Sequence, residues 1–400
     1  MTAPLWFVSA SLSLALTVSL RPVSVAQTQP ASDAQSDKSW SSSTEVEDST
    51  GAAGRSKITN SHRESGNRTI DKQTVQRVGP DGRYEPFLDT EKETIRVDAN
   101  TVRTIERSYA RDPDGQKRLM QVTEEQTRMS ANGDQKVTRT TSNPDVNGSL
   151  QIVRREIEET KQTSPKVQDK KTTVLSPNTS GELTPIEQIQ ERQTRTGDHV
   201  VEFRKATSAA DLNGNWQTSE VREGTIKEDG NDKVKEERVS RPGSDGKLVM
   251  GERTVTRDSE AAGGEQRRTE ETFSDTIPGT VGDGSLQLTQ RVITVRRSGA
   301  DGKQLTEQRV EQRNPGAPGD SPRLAQRTID IVRPSTSGAK ETRTIESLDS
   351  SGSLGVIWVD TAKTDKVPAL QVDTKSTAPP AATDQTTPAS TTPANNPTPQ

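Results

Sequence analysis

The sequence contains no cysteine. Disulfides, thiolate nucleophiles and cysteine-ligated zinc are therefore excluded. A lipoprotein anchor, which needs a cysteine at the mature N-terminus, is excluded with them. Histidine is almost absent as well, occurring only as His62 and His199. Aromatic residues make up 2% of the chain and hydrophobic residues 26%. A typical globular chain is about 45–50% apolar when glycine is counted. So few apolar side chains cannot build a thick core, because burial at about 25 cal/mol per Å² must offset about 1–2 kcal/mol of ordering entropy per residue. What remains is disorder, or a thin fold in which backbone pairing carries an unusual share of the stability. An excess of one charge is also lacking: 54 Lys and Arg stand against 58 Asp and Glu, for a net charge of −4. There is no basic surplus to neutralise a phosphate backbone, so no nucleic-acid partner is expected.

Long apolar runs are missing except at the N-terminus. Leu5-Trp6-Phe7-Val8 opens a stretch that continues through Leu12, Leu14, Leu16, Val18 and Leu20 and stops at Arg21-Pro22. Ser24-Val25-Ala26 then offers small residues at the spacing a signal peptidase reads. This predicts a signal peptide over residues 1–26, cleaved before Gln27, and a secreted or periplasmic chain with no membrane span afterwards. Residues 27–70 are Ser-, Thr-, Asp- and Gln-rich and read as a disordered polar leader. Residues 374–400 are almost entirely Thr, Pro, Ala, Ser, Asn and Gln and read as a low-complexity disordered tail.

Between them lies a repeat. Turns of one kind end in Gly82, Gly115, Gly148, Gly181, Gly214 and Gly246, spaced 33, 33, 33, 33 and 32 residues apart. The series continues less evenly through Gly284, Gly319 and Gly352. An apolar residue usually follows two places later: Tyr84, Leu150, Leu183, Trp216, Leu248, Leu286 and Leu354. A second turn, as at Asn132-Gly133, Thr196-Gly197, Asp229-Gly230, Gly263-Gly264, Asp301-Gly302 and Ser337-Gly338, divides each unit in half. Such periods signal repeat architecture, and Asn-Gly or Asp-Gly pairs favour type I′ hairpin turns. The intervening segments, such as Leu286 to Arg296, are rich in Thr, Val and Ile and suit strands. Residues 71–373 are thus expected to form about nine units of ~33 residues with two strands each, following the repeat-period rule. Strands joined so tightly must pair antiparallel. The expected fold is all-β: an extended antiparallel meander, single-layered or thinly solenoidal, held by cross-strand Arg/Glu and Thr/Thr pairs.

The sequence offers little chemistry. His62 falls in the predicted leader and His199 at a turn, and neither position suits a hydrolase triad. Asp112-Pro-Asp114-Gly115 and Asn143-Pro-Asp145-Val-Asn147-Gly148 have alternate oxygen ligands before glycine, as calcium loops do. Gln121 and Arg154 stand where the bidentate glutamate belongs, so these residues read as turn formers. Pairs such as Glu124-Glu125 and Glu158-Glu159 alternate between faces of a strand and form no acid/base pair. Trp216 and Tyr84 occupy a repeat position and read as packing anchors. Trp358, in the most apolar strand, reads as a terminal cap. Asn67, Asn147 and Asn178 head N-glycosylation sequons. The Asp-Gly-x-Leu turn resembles that of Rhs-type tyrosine–aspartate repeats, but the defining Tyr-Asp pair is absent and the period differs, so nothing is carried over. No catalytic, cofactor or metal residues are assigned. The expectation is a non-enzymatic structural or surface-interaction protein. The alternatives are a weak binding module for an extracellular or periplasmic protein or polymer, acting along a sheet face or edge, and a chain that folds on its partner.

Overall fold

A computed structural model describes residues 38–367, apart from residues 49–53, 113–114, 212, 262, 275–285, 315–319, 336–337 and 349–351. The predicted signal peptide and the Thr/Pro tail lie outside the described residues.

The fold is all-β, with twenty antiparallel strands from β1 (Lys38–Glu47) to β20 (Leu354–Val367). Each strand pairs with the next, as short connections require. The meander also closes on itself. The first strand pairs with the last over seven residue pairs, from Ser41↔Val367 to Glu47↔Thr361. The single layer is therefore a barrel rather than an open sheet or a solenoid, and it has no edge strand. Binding along a sheet edge is thus ruled out for the intact wall, and Trp358 pairs with Ile345 within the wall rather than at a terminal cap.

Ordered structure begins earlier than expected. Strand β1, β2 (Ser56–Ser65) and the start of β3 (Arg68–Val78) all fall within the segment read as leader. These sequences have few apolar residues. Strand β2 is held on one side by β1 and on the other by β3, so every rung is paired. His62 accordingly lies in a strand.

The connections at Gly82, Gly115, Gly148, Gly181, Gly214 and Gly246 are not two-residue turns. Asp145 N–H donates to Ser149 O, and Gly148 N–H donates back to Asp145 O, at 2.9 and 3.0 Å. This is a three-residue loop closed by one left-handed residue, and Gly148 supplies it at φ 81°. Asp145 Oδ1 also accepts the N–H groups of Asn147 and Ser149. The carboxylate is committed to the turn, which is why Asp recurs there. Gly197, by contrast, is not in the left-handed region.

A bulge follows each such turn. In β4 (Tyr84–Arg96) the register jumps from Val75↔Leu88 to Gln76↔Pro86, leaving Phe87 as the extra residue. The same shift recurs at Met120, Val153, Ile186, Ser219, Gly251, Thr289, Ala325 and Ile357. Except at Ala325, the extra residue lies five places after the turn glycine. Bulges bend and twist a strand, and one per hairpin around a sheet supplies the curvature that closure needs.

There is almost no core. Among the described residues, the buried apolar side chains are Val174, Val221, Val239 and Val255. Alternation along the registers puts Val174 and Val239 on one face, and Val221 and Val255 on the other. Each is flanked by register partners of its own face rather than covered by a second layer: Glu156 and Glu187 for Val174, Arg222 and Glu252 for Val239, Ala206 and Ser240 for Val221, and Glu236 and Glu271 for Val255.

Candidate functional site: the lumen and its mouths

Register and chirality decide which face is inside. The N–H groups of Arg96, Met129, Arg195 and Glu228 all donate to the carbonyl of the residue that opens the preceding strand, Asn67, Asn100, Lys166 and His199. Partners climb toward the Asp-Gly end along the chain, as in Ser42↔Asn60↔Gln73↔Thr90↔Ser108↔Gln121. For L-residues in a right-twisted barrel, this combination puts those four side chains on the concave wall.

The lumenal face is mostly polar, with apolar residues such as Val102, Val137, Val174, Val239 and Val292 interspersed. A circular wall of twenty strands spans on the order of 40 Å between opposite backbones, from the strand spacing and usual tilt. Every pair of strands in substantial contact is a ladder neighbour, so no described element fills the interior. Threonine, glutamate and glutamine recur along the lining, and many of its charges are neutralised in clusters. Arg139 lies 2.6 Å from Glu125 and 3.2 Å from Glu156. Arg222 bridges Glu220 and Glu237 at 2.5 and 2.9 Å, and Lys235 joins Glu237 at 2.6 Å. Arg343 meets Asp330 at 2.7 Å. Phe203, in β11 (Val200–Ala210), faces Gly224 of β12 (Trp216–Asp229) and carries Lys235 above its ring at 5.1 Å. Near the seam, His62 Nδ1 lies 2.6 Å from Asp71 Oδ1, and its ring stacks on Trp40 at 5.6 Å. These contacts tie the first three strands together. His199 uses its carbonyl to accept Glu228 N–H, extending the ladder between β11 and β12 by one bond at its open end.

The outer face is also ionic over most of its height. Arg103–Glu124 at 2.8 Å, Arg192–Asp169 at 2.7 Å and Arg253–Glu236 at 3.0 Å are typical. Arg291 spans Glu271 and Glu311, each at 3.0 Å. These are the cross-strand pairs anticipated from the interspersed charges. Half-exposed as they are, each contributes about 0–1 kcal/mol.

The two mouths differ. All of the large exposed apolar side chains except Trp40, Val97 and Met129 lie at the Asp-Gly end. Some are bulge residues that line the lumenal lip. Phe87 is stacked by Arg77, whose guanidinium sits 3.8 Å from the ring centre, and Thr289 Oγ1 donates to Thr272 O on the lumenal side. Others, including Leu150, Trp216 and Leu248, face outward. The repeat position of Tyr84 and Trp216 is therefore an outer belt rather than packing within a core. The +5 bulge position carried a period of its own that the turn-based reading passed over. The described chain enters the wall at Lys38 and leaves it at Val367, both at the opposite mouth.

No protein-family model matches this chain, and no curated protein matches it. Among solved structures, OpdL of Pseudomonas aeruginosa aligns over 83% of this chain and 99% of its own, at 9% identity and a TM-score of 0.40. The siderophore receptor PirA of the same organism aligns over 83% and 81%, at 10% identity and a TM-score of 0.41. A Bacteroides fragilis protein of unknown function, BF3112, aligns over 38% of this chain and 88% of its own, at 14% identity and a TM-score of 0.22. Scores this low carry no argument on their own. The closed wall itself corrects one expectation, that nothing after the signal peptide could span a membrane. That expectation weighed only apolar runs. No described helix is long and apolar enough to cross, but barrels cross with strands, all of whose backbone groups are paired.

Proposed function

We propose that this protein is a non-enzymatic barrel of the cell envelope, outside the cytoplasm, whose water-filled lumen passes hydrophilic solutes between its mouths. The observation that carries this reading is the closed twenty-strand wall around a lumen lined by polar and pairwise-neutralised side chains. Because lumenal cations and carboxylates sit in contact with each other, the passage should discriminate weakly between anions and cations. Polar solutes would be limited by width and by the apolar lip at one mouth.

The test is reconstitution of the full chain into lipid vesicles loaded with sugars and dextrans of graded size. Release of the small solutes with retention of the large ones supports a passage. A folded chain that releases nothing, and gives no conductance steps in planar bilayers, would refute it.

One observation favours a second reading, a surface-interaction barrel that engages an envelope polymer or protein along its outer wall. Bilayer-spanning barrels carry an outward apolar band about 25 Å tall. Here the outward apolar side chains gather at the Asp-Gly rim, and ion pairs cover the wall beyond it. Binding of an envelope polymer or protein along that face, without solute release, would support this alternative.

A further inference from the structure

The outward belt at the Asp-Gly rim is built of cross-strand pairs. Leu119 faces Tyr109, Leu150 faces Pro144, Leu183 faces Pro177, Leu248 faces Pro242, and Leu354 faces Leu348. The ladder recurs from hairpin to hairpin, with Lys117 and Arg111 as a charged interruption. Leu150, Leu248 and Leu354 are 48%, 46% and 40% exposed. So much apolar side chain on one rim of a chain this polar calls for a partner.

Three features narrow the partner. First, the loop tips beyond the belt carry Asp81, Asp145, Asp211 and Asp245. A rim pushed end-on into lipid would bury those carboxylates ahead of the leucines, at a cost the belt does not offset. Second, the belt runs around the wall, whereas a single folded partner would cover one side. Third, the wall beyond the belt alternates Arg with Glu, and the chain's net charge is only −4. A surface of that kind is complementary to itself.

We propose that the belt is the contact between copies of this chain standing side by side, with their Asp-Gly rims at the same level. Only in that parallel arrangement does apolar band meet apolar band while the ionic walls below face each other. A facing strip a few strands wide and one belt deep covers on the order of 200 Å² per copy, from strand spacing and rise. That is well below the ~800 Å² per partner of a stable pair. Each contact is therefore weak, and a barrel with free belt all round takes several neighbours. Concentration-dependent clusters follow, not a discrete dimer. This inference is independent of what passes through the lumen.

The absence of native cysteine makes the geometry readable. Single-cysteine full chains Leu183→Cys, in the belt, and Arg192→Cys, further down the outer face of the same strand, are oxidised alone and mixed. L183C is expected to cross-link to itself increasingly with concentration, and L183C mixed with R192C is expected to give no mixed dimer. In sedimentation velocity, the triple variant Leu150→Asp, Leu183→Asp, Leu248→Asp should associate about tenfold more weakly, equivalent to about 1.4 kcal/mol, with an unchanged far-UV spectrum. Three results would overturn the proposal: no L183C homodimer at any concentration, mixed dimers as abundant as homodimers, or association indifferent to the triple substitution. If the chain stays monomeric and floats with phosphatidylcholine vesicles in a belt-dependent way, the belt serves lipid and the proposal fails.

Discussion

Gly224 provides a sharp test of how tightly the wall is laced. It lies in the middle of β12, facing the lumen between Phe203 of β11 and Glu237 of β13 (Asp232–Pro242). A methyl group added there would sit 1.8 Å from the backbone oxygen of Glu236 and 3.0 Å from the Glu237 Cα. These are backbone atoms of the neighbouring strand and cannot rotate away. Relief requires the two strands to separate locally by about 1.5 Å, enough to lengthen ladder bonds beyond hydrogen-bonding range. Losing about two such bonds at ~1 kcal/mol each, with about 1–2 kcal/mol of residual strain, gives about 3–4 kcal/mol for Gly224→Ala. With a urea slope of about 3 kcal/mol per M, the unfolding midpoint should fall by about 1 M, read by far-UV circular dichroism. Gly251 is the matched control. It is the bulge residue of β14 (Leu248–Glu260), has nothing within 4 Å of an added methyl, and is not in the left-handed region. Gly251→Ala should be neutral or stabilising by up to about 1 kcal/mol, through the unfolded chain. Equal midpoints for the two variants would refute the close approach of β12 and β13.

Three further outcomes are expected. Val239, fully buried on the lumenal face between Arg222 and Glu252, should cost about 2 kcal/mol on Val239→Ala, whereas exposed Val97→Ala should be silent in the same urea titration. Arg139→Met breaks two lumenal ion pairs and should cost no more than about 1 kcal/mol, with the difference shrinking as salt is raised; a loss of several kcal/mol would mean the lumen is drier than described. Backbone N–H groups hold the Asp145 and Asp211 carboxyls below the usual carboxylate range, Asp211 with help from the Asn215 side chain. Their folded-state pKa values are depressed, so the stabilisation is present above the unfolded value and is lost as pH falls toward the folded one. The double variant Asp145→Asn, Asp211→Asn should flatten that acid limb in a pH series of thermal melts. It should fold at neutral pH, since Asn178 already does the same work through Oδ1 in its own unit.

The glycine spacing was enough to reveal the hairpins, because each turn is a local event with its own residue chemistry. The strand composition followed from it. Three things were not legible, each for a physical reason. Closure depends on Thr44 meeting Thr364, 320 residues away, and no local pattern marks a first strand as complementary to a last. Strands β1 and β2 looked like a polar leader because they hold their place through rungs on both sides rather than through apolar content. The bulges were hidden inside apparently irregular alternation. In β16 (Gln287–Ser298), Leu288 seems out of phase with Ile293 and Val295. Once Thr289 is recognised as an extra residue, all three face outward together. Counting five residues from each glycine would have found it. The polar lumen could not be anticipated, since a lumen exists only when the sheet closes.

Closure is the claim on which the passage, the two distinct rims and the loss of edge strands all depend. The most direct measurement is a disulfide across the seam. Thr44 and Thr364 are register partners with their hydroxyl oxygens 2.9 Å apart, and facing positions of this kind suit a disulfide. The double variant Thr44→Cys, Thr364→Cys, in a chain with no other cysteine, should form an intramolecular bond under mild oxidation at low protein concentration. Mass spectrometry of the proteolysed protein should recover the two peptides linked. The account predicts a yield matching that of Thr44→Cys, Ile58→Cys, which joins β1 to its sequence neighbour β2. Efficient cross-linking of the neighbour pair with none across the seam would contradict it and leave an open sheet.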